Sequence, residues 1–283
     1  MKIQKNILIK GKHHKPILTD FIYKENNFEK PIVIFCHGYK GYKDWGAWNI
    51  MGKEFAKNNL FFVKFNFSHN GGTIKQPIDF PDLEAFGNNN FSIELDDLEA
   101  VLNFVTEQSN FKTEIDKNNI ILIGHSRGGG IVMLKASHNS KITNVISWAG
   151  ISDIESRFPK GKALLQWKKD GVGYIENTRT KQQMPNTYQL YENFMANKEK
   201  LHIQSAVKKI KIPHLIVHGT NDEVVLPIEA ENIHKWNSNS MLFMLKDMNH
   251  ALGNTQPWQE EYMPTDLEKV VLRSIKFIKN NIK

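Results

Sequence analysis

The sequence predicts an α/β fold, a mostly parallel twisted sheet with helices on both faces, and three observations carry that expectation. Short branched apolar runs of strand length alternate with stretches whose apolar residues recur near a 3.6 period. One such run, Ile120-Ile121-Leu122-Ile123, passes straight into Gly124-His125-Ser126-Arg127-Gly128 and then into helix-like Ile131-Val132-Met133-Leu134. Two later apolar runs end in loops that carry Asp222 and His250.

Taken in order, Ile3 to Ile9 and Ile17 to Tyr23 each alternate apolar and polar positions around a break at Gly11 to Pro16, the pattern of an antiparallel pair at a sheet edge. His13 and His14 sit in that turn with no carboxylate or cysteine beside them in sequence, and are read as surface residues rather than a metal site. Pro31 to Cys36 is a continuous apolar run suited to a strand buried on both faces. Trp48, Met51, Phe55 and Leu60 then mark a helix ended by Asn58-Asn59, and Phe61 to Ser68 returns to strand. His69 to Asn90, rich in Gly, Pro and Asn, reads as a long irregular loop. From Ser92 a helix follows, with Glu94, Asp96 and Asp97 favouring its N-terminal dipole.

After the Gly124 to Gly128 turn, Asn144 to Gly150 is the next strand. From Ile151 to about Ala206 no strand of convincing length is found, and aromatic residues alternate with basic ones; the segment 152–205 is expected to be a largely helical lid inserted in a single domain spanning 1–283. The sheet resumes at Pro213 to Gly219, a helix covers Ile228 to Trp236, Met241 to Leu245 is the final strand, and a helix from about Thr265 closes the chain.

Composition narrows the function. The net charge of +7 is nearly all lysine, spread without a dense basic block, and only four arginines are present, so nucleic acid is not an expected partner. No run is apolar enough to span a bilayer, and the N-terminus lacks a signal-peptide pattern, so a cytoplasmic protein with no membrane partner is expected. The single cysteine, Cys36, lies inside a strand and reads as a buried apolar residue rather than a nucleophile. The oligomeric state stays open, with a homodimer as the candidate.

Gly-x-Ser-x-Gly between a strand and a helix is the pattern of a nucleophile elbow, which lifts the serine hydroxyl above the sheet and aims the first helical amides at a developing negative charge. A serine hydroxyl is a weak nucleophile near neutral pH and needs a histidine base oriented by an acid. Asp222 and His250 follow successive strands, so a parallel sheet brings them to the edge that carries Ser126. His37, His125 and His218 are the rival histidines, the first two expected to brace the neighbouring loops; Asp153 and Glu223 are the rival acids, and Asp247 is assigned to the turn before His250.

Through His37-Gly38-Tyr39, Gly124-His125-Ser126-Arg127-Gly128, His218-Gly219-Thr220-Asn221-Asp222 and Asn249-His250, the chain resembles the α/β-hydrolase superfamily. The resemblance is to small bacterial carboxylesterases of feruloyl or cinnamoyl esterase type and to dienelactone-hydrolase-like proteins, although the cysteine nucleophile of dienelactone hydrolase is replaced here by Ser126. It implies Ser126 as nucleophile, Asp222 as acid, His250 as base, and the backbone amides of Tyr39 and Arg127 as the oxyanion hole. It implies hydrolysis of a small-molecule carboxylic ester, with no metal and no cofactor.

An aromatic or short acyl group is expected, with Trp148, Trp167, Tyr174 and Tyr188 as candidate substrate contacts and Lys168, Lys169 or Arg179 as candidate carboxylate partners. Thioester hydrolysis, acyl transfer and peptide cleavage use the same three groups, and a non-catalytic ligand-binding protein with this fold is the alternative from another class.

Overall fold

The computed structural model describes residues 1–107 and 109–282. In chain order the elements begin β1 (Lys2–Lys10), β2 (Pro16–Tyr23), β3 (Lys30–Cys36), α1 (Trp48–Lys57), β4 (Phe61–Asn66), α2 (Leu83–Gly87), α3 (Phe91–Glu107), β5 (Ile115–His125) and α4 (Arg127–Ala136). They continue β6 (Asn144–Trp148), α5 (Lys162–Asp170), β7 (Val172–Glu176), β8 (Gln183–Thr187), α6 (Gln189–Ala196), α7 (Ile203–Lys209), β9 (His214–Gly219), α8 (Pro227–Trp236), β10 (Met241–Leu245) and α9 (Thr265–Asn281).

Among the described residues the main sheet has eight strands in the order β1-β2-β4-β3-β5-β6-β9-β10. The first two form the expected antiparallel edge pair, β2 also runs antiparallel to β4, and every other pairing is parallel. Strand alternation sends Ile32, Ile34 and Cys36 to one face and Val33 and Phe35 to the other. The first face packs on α3, α4, α7 and α8 through Leu98, Val101, Ile131, Val207 and Ile233. The second packs on α1 and α9 through Phe55, Val270, Val271 and Ile278. The result is three layers, with helices covering both faces as the sequence predicts. No described helix is long and apolar enough to cross a membrane.

Between β6 and α7 the structure differs from the expected run of helices. Strands β7 and β8 pair antiparallel as a separate two-stranded sheet, Tyr174 opposite Pro185 and Ile175 opposite Met184. Both strands are five residues long, one contains Gly173 and the other Pro185, so neither shows the apolar alternation that identifies a strand. The loop after β4 is also more ordered than its composition implies. Phe80 and Phe86 are buried with Tyr42 and Met184 in a small third core, and Asp82 caps α2 by accepting from the Ala85 amide.

Two acidic residues of α3 do more than favour its dipole. Glu94 and Asp97 are buried, the first paired with Arg127 and the second accepting the Ser68 amide at 2.7 Å. His13 contacts a carboxylate distant in sequence, its Nε2 lying 3.0 Å from Asp96.

Candidate active site

Strand β5 delivers Ser126 at its C-terminal end, and α4 begins at the next residue. The serine backbone has φ 57° and ψ −121°, a conformation that costs a residue with a Cβ about 1–3 kcal/mol and persists only where its surroundings impose it. They do so here. A Cβ on Gly124 would stand 2.1 Å from the carbonyl oxygen of Gly128, and one on Gly128 would stand 2.4 Å from that of Cys36. The two glycines of the motif are therefore required by close backbone approach rather than by their own dihedral angles.

Parallel pairing of β9 with β10 brings the loops that follow them together beside Ser126. His250 Nε2 lies 3.0 Å from Ser126 Oγ, and His250 Nδ1 lies 2.8 Å from Asp222 Oδ2. Asp222 is held in turn: its Oδ1 accepts the amides of Val224 and Val225, each at 2.9 Å, and its Oδ2 lies 3.3 Å from His218 Nε2. Burial pushes the Asp222 carboxyl up, but hydrogen bonds from His218 and His250 outweigh it, and the acid lies well below the ordinary carboxylate range. The structure thus brings together the three side chains expected from sequence. The rival acids lie elsewhere: Asp153 accepts the Glu155 amide, and Glu223 is exposed.

The other histidines serve the surrounding loops. His125 Nε2 lies 2.8 Å from the His250 carbonyl oxygen, the two rings are 4.9 Å apart, and burial, reinforced by His250, pulls the His125 pKa down to about 3. His37 Nε2 accepts the Phe67 amide and its Nδ1 donates to the Gly38 carbonyl; burial lowers its pKa to about 4. A neutral His37 therefore fixes the loop 37–41 against the elbow, where a Cβ on Gly38 would come within 2.9 Å of the Ser126 Cβ. Neither the Tyr39 nor the Arg127 amide hydrogen-bonds within the described residues, which leaves both N–H groups beside the serine available.

A buried ion cluster anchors the same loop. Asp20 of β2 and Lys64 of β4 are cross-strand partners, and Lys43 and Asp44 arrive from the loop beyond Tyr39. Asp20 Oδ2 lies 2.9 Å from Lys43 Nζ and 2.7 Å from Lys64 Nζ, and Asp44 pairs with both lysines. Against the penalty of burial, Lys64 and Lys43 hold the Asp44 pKa down to about 2. Sequence reasoning missed this cluster; its one signal is a lysine in the middle of the apolar strand Phe61-Phe62-Val63-Lys64-Phe65.

Ser126 stands where two cavities meet. One, of about 530 Å³, is walled mainly by Phe91, Ile151, Phe158, Trp167, Leu190 and Val225. The other, of about 430 Å³, is bounded by Lys40, Trp45, Asn177, Arg179, His250 and Gln256.

Of the expected substrate contacts, Trp167 and Tyr174 line the apolar cavity. Tyr188 stands behind it, packed edge-on against Trp167 at 5.3 Å. Trp148 is a correction. Its backbone carbonyl accepts the Ser126 amide, but alternation along β6 turns its side chain to the α9 face, where Nε1 donates to Ser274 Oγ and the ring is fully buried. Lys168 and Lys169 are exposed and line neither cavity, while Arg179 borders the second, more polar one and pairs with Asp79. Phe91, Ile151 and Asn186 also line the apolar cavity, and no sequence pattern singles them out.

The BD-FAE family model matches residues 20–236, well over half of the chain. The chain belongs to the BD-FAE family. No curated protein matches this BD-FAE chain significantly. Solved structures share its fold. Est1E from Butyrivibrio proteoclasticus, with ferulic acid bound, is 18% identical, with a TM-score of 0.72 over 98% of this chain and 99% of that one. An esterase domain from a Rhodothermus marinus protein is 16% identical over the whole of both chains, with a TM-score of 0.66. The α/β hydrolase GrgF from Penicillium sp. sh18 is 15% identical, with a TM-score of 0.71 over 100% of this chain and 99% of that one. The fold expected from the motifs is the one found: the BD-FAE protein has the α/β-hydrolase fold.

Proposed function

We propose that the protein is a serine esterase that cleaves carboxylic esters through an acyl-enzyme. The observation that carries this reading is the unbroken relay from Asp222 through His250 to Ser126, with contacts of 2.8 and 3.0 Å. His250 Nε2 takes the Ser126 proton as Oγ attacks the ester carbonyl, while the Asp222 carboxylate holds Nδ1–H and balances the imidazolium. The amides of Tyr39 and Arg127 stabilise the oxyanion. His250 then returns the proton to the alkoxide as the carbon–oxygen bond breaks and alcohol departs. Water repeats the sequence in reverse, giving the free acid and restoring Ser126.

The base also assigns the two cavities. The group that protonates the leaving oxygen must face it, and His250 borders only the second, more polar cavity. The alcohol therefore occupies that side, and the acyl group occupies the apolar cavity. The segment 152–205 acts as a lid, supplying Phe158, Trp167 and Leu190 to the acyl wall. A planar aromatic or short aliphatic acyl group suits that wall, and the ferulic acid bound to Est1E, a structural neighbour, supports this choice.

A fluorophosphonate probe and short-chain p-nitrophenyl esters test the reading. Labelling and a p-nitrophenol burst are expected from the wild type and from neither activity assay with Ser126→Ala. Labelling that persists in the variant would remove Ser126 from the mechanism.

A further inference from the structure

We infer that the Arg127 side chain forms a polar subsite inside the acyl cavity, selecting acyl groups that carry a neutral oxygen acceptor a few bonds from the scissile carbonyl. The inference rests on the esterase reading and on its assignment of the acyl side.

Arg127 follows the nucleophile, and its side chain enters the apolar cavity with 9% of its surface exposed. Its Nε–H donates to the buried Glu94 carboxylate at 2.9 Å, and its guanidinium lies over the Phe91 ring, 3.9 Å from the centroid. Nη2 is buried with no hydrogen-bond partner among the described residues. A guanidinium serving only to clamp α3 to α4 would meet the carboxylate with two parallel hydrogen bonds. This one meets it with a single bond: Nη2 is sealed away, and Nη1, which also has no partner among the described residues, keeps some accessible surface, an arrangement that is costly until an acceptor reaches it.

The rest of the lining points to the same ligand chemistry. Asn186 has its Oδ1 occupied by the Tyr39 hydroxyl, leaving its amide nitrogen to offer. The other cavity arginine, Arg157, is paired with Glu229 and also donates to the Val224 carbonyl. The charged and amide groups of the lining therefore present donors, and an incoming group must bring an acceptor. Charge decides which kind: the two arginines are already balanced by Glu94 and Glu229. A carboxylate would enter the apolar space without a counter-charge, whereas a keto or ether oxygen carries no such penalty. Because the Arg127 amide faces the carbonyl and its own side chain holds the acceptor donor, the selected oxygen lies within one arginine side chain's reach of the reacting carbon.

The test compares kcat/KM for ethyl 4-, 5- and 6-oxoalkanoates with that for the matching methyl-branched alkanoates, in which a methyl replaces the oxo oxygen, and with monoethyl succinate. In the wild type at least one oxo ester is expected to exceed its branched analogue by about tenfold, the effect of one hydrogen bond from a charged buried donor. Monoethyl succinate is expected to fall below that oxo ester. In Arg127→Met combined with Glu94→Gln, which strands no carboxylate, the oxo preference should vanish or reverse; the ratio is the readout, whatever the overall rate. A wild type without oxo preference at any position overturns the subsite and needs no variant to fold. So does a preference that survives in the double variant, or a preference for the succinate monoester. Esters hydrolysed without oxygen preference leave the acyl-enzyme reading standing, whereas no hydrolysis and no fluorophosphonate labelling of Ser126 overturn both.

Discussion

Asp222 is the most heavily tied side chain of the relay, with amides on one oxygen and two imidazoles at the other. Asp222→Asn keeps the size of the group but no longer fixes the His250 tautomer that leaves Nε2 free to accept a proton, so kcat should fall by a factor on the order of 10⁴. Burst kinetics with a p-nitrophenyl ester check this, and an unchanged kcat would take Asp222 out of the relay. At this scale the relay was readable, because the order Ser, Asp, His along parallel strands determines which loops meet. Trp148 was not. Its place beside the elbow suggests a cavity residue, but the side to which a strand side chain turns depends on register with β5 and β9, and a single continuous apolar run does not reveal that register.

Elements that lend no reacting group still hold the site. Strands β2 and β4 carry Asp20 and Lys64 to the loop residues Lys43 and Asp44, joining the edge of the sheet to the segment that presents the Tyr39 amide. Lys64→Met strands the buried Asp20 and half-buried Asp44 carboxylates with a single lysine and should destabilise the fold by about 3–5 kcal/mol. Urea unfolding measures this, and a loss below about 1 kcal/mol would be that of an exposed pair. Long strands and helices were legible because their periodicity repeats several times. The β7–β8 hairpin was not, since five residues interrupted by Gly173 or Pro185 give no period to detect. The ion cluster was hidden for another reason: its partners are 23 and 44 residues from Asp20 in sequence, and only strand pairing makes them neighbours.

For the molecule as a whole, the pH dependence of stability has an identifiable contributor. Burial, despite the Ser68 amide on its Oδ2, raises the Asp97 pKa to about 7 from an ordinary value of 3.8. Between those values the folded chain holds a proton that the unfolded chain has released. The stability Asp97 contributes is therefore fully present below the ordinary carboxylate range and is lost as pH rises through about 7. Asp97→Asn should flatten the fall in Tm between mildly acid and mildly alkaline buffer, measured by thermal unfolding across pH. Parallel wild-type and variant profiles would exclude this role. The layered architecture was evident from alternating strand and helix patterns, but a carboxyl sealed between β4 and α3 was not, because on a helix wheel it looks like one more acid near the first turn.

The amino-terminal hairpin supplies no atom to the relay, yet it has a consequence for anyone shortening the chain. The Asn6 amide of β1 occupies one oxygen of Asp20 at 2.8 Å, and the two lysines share the other. A protein trimmed to begin at Asp20 would retain every reacting group but would open this charged knot to water at the sheet's flank, loosening the Tyr39 loop from a point remote from the chemistry.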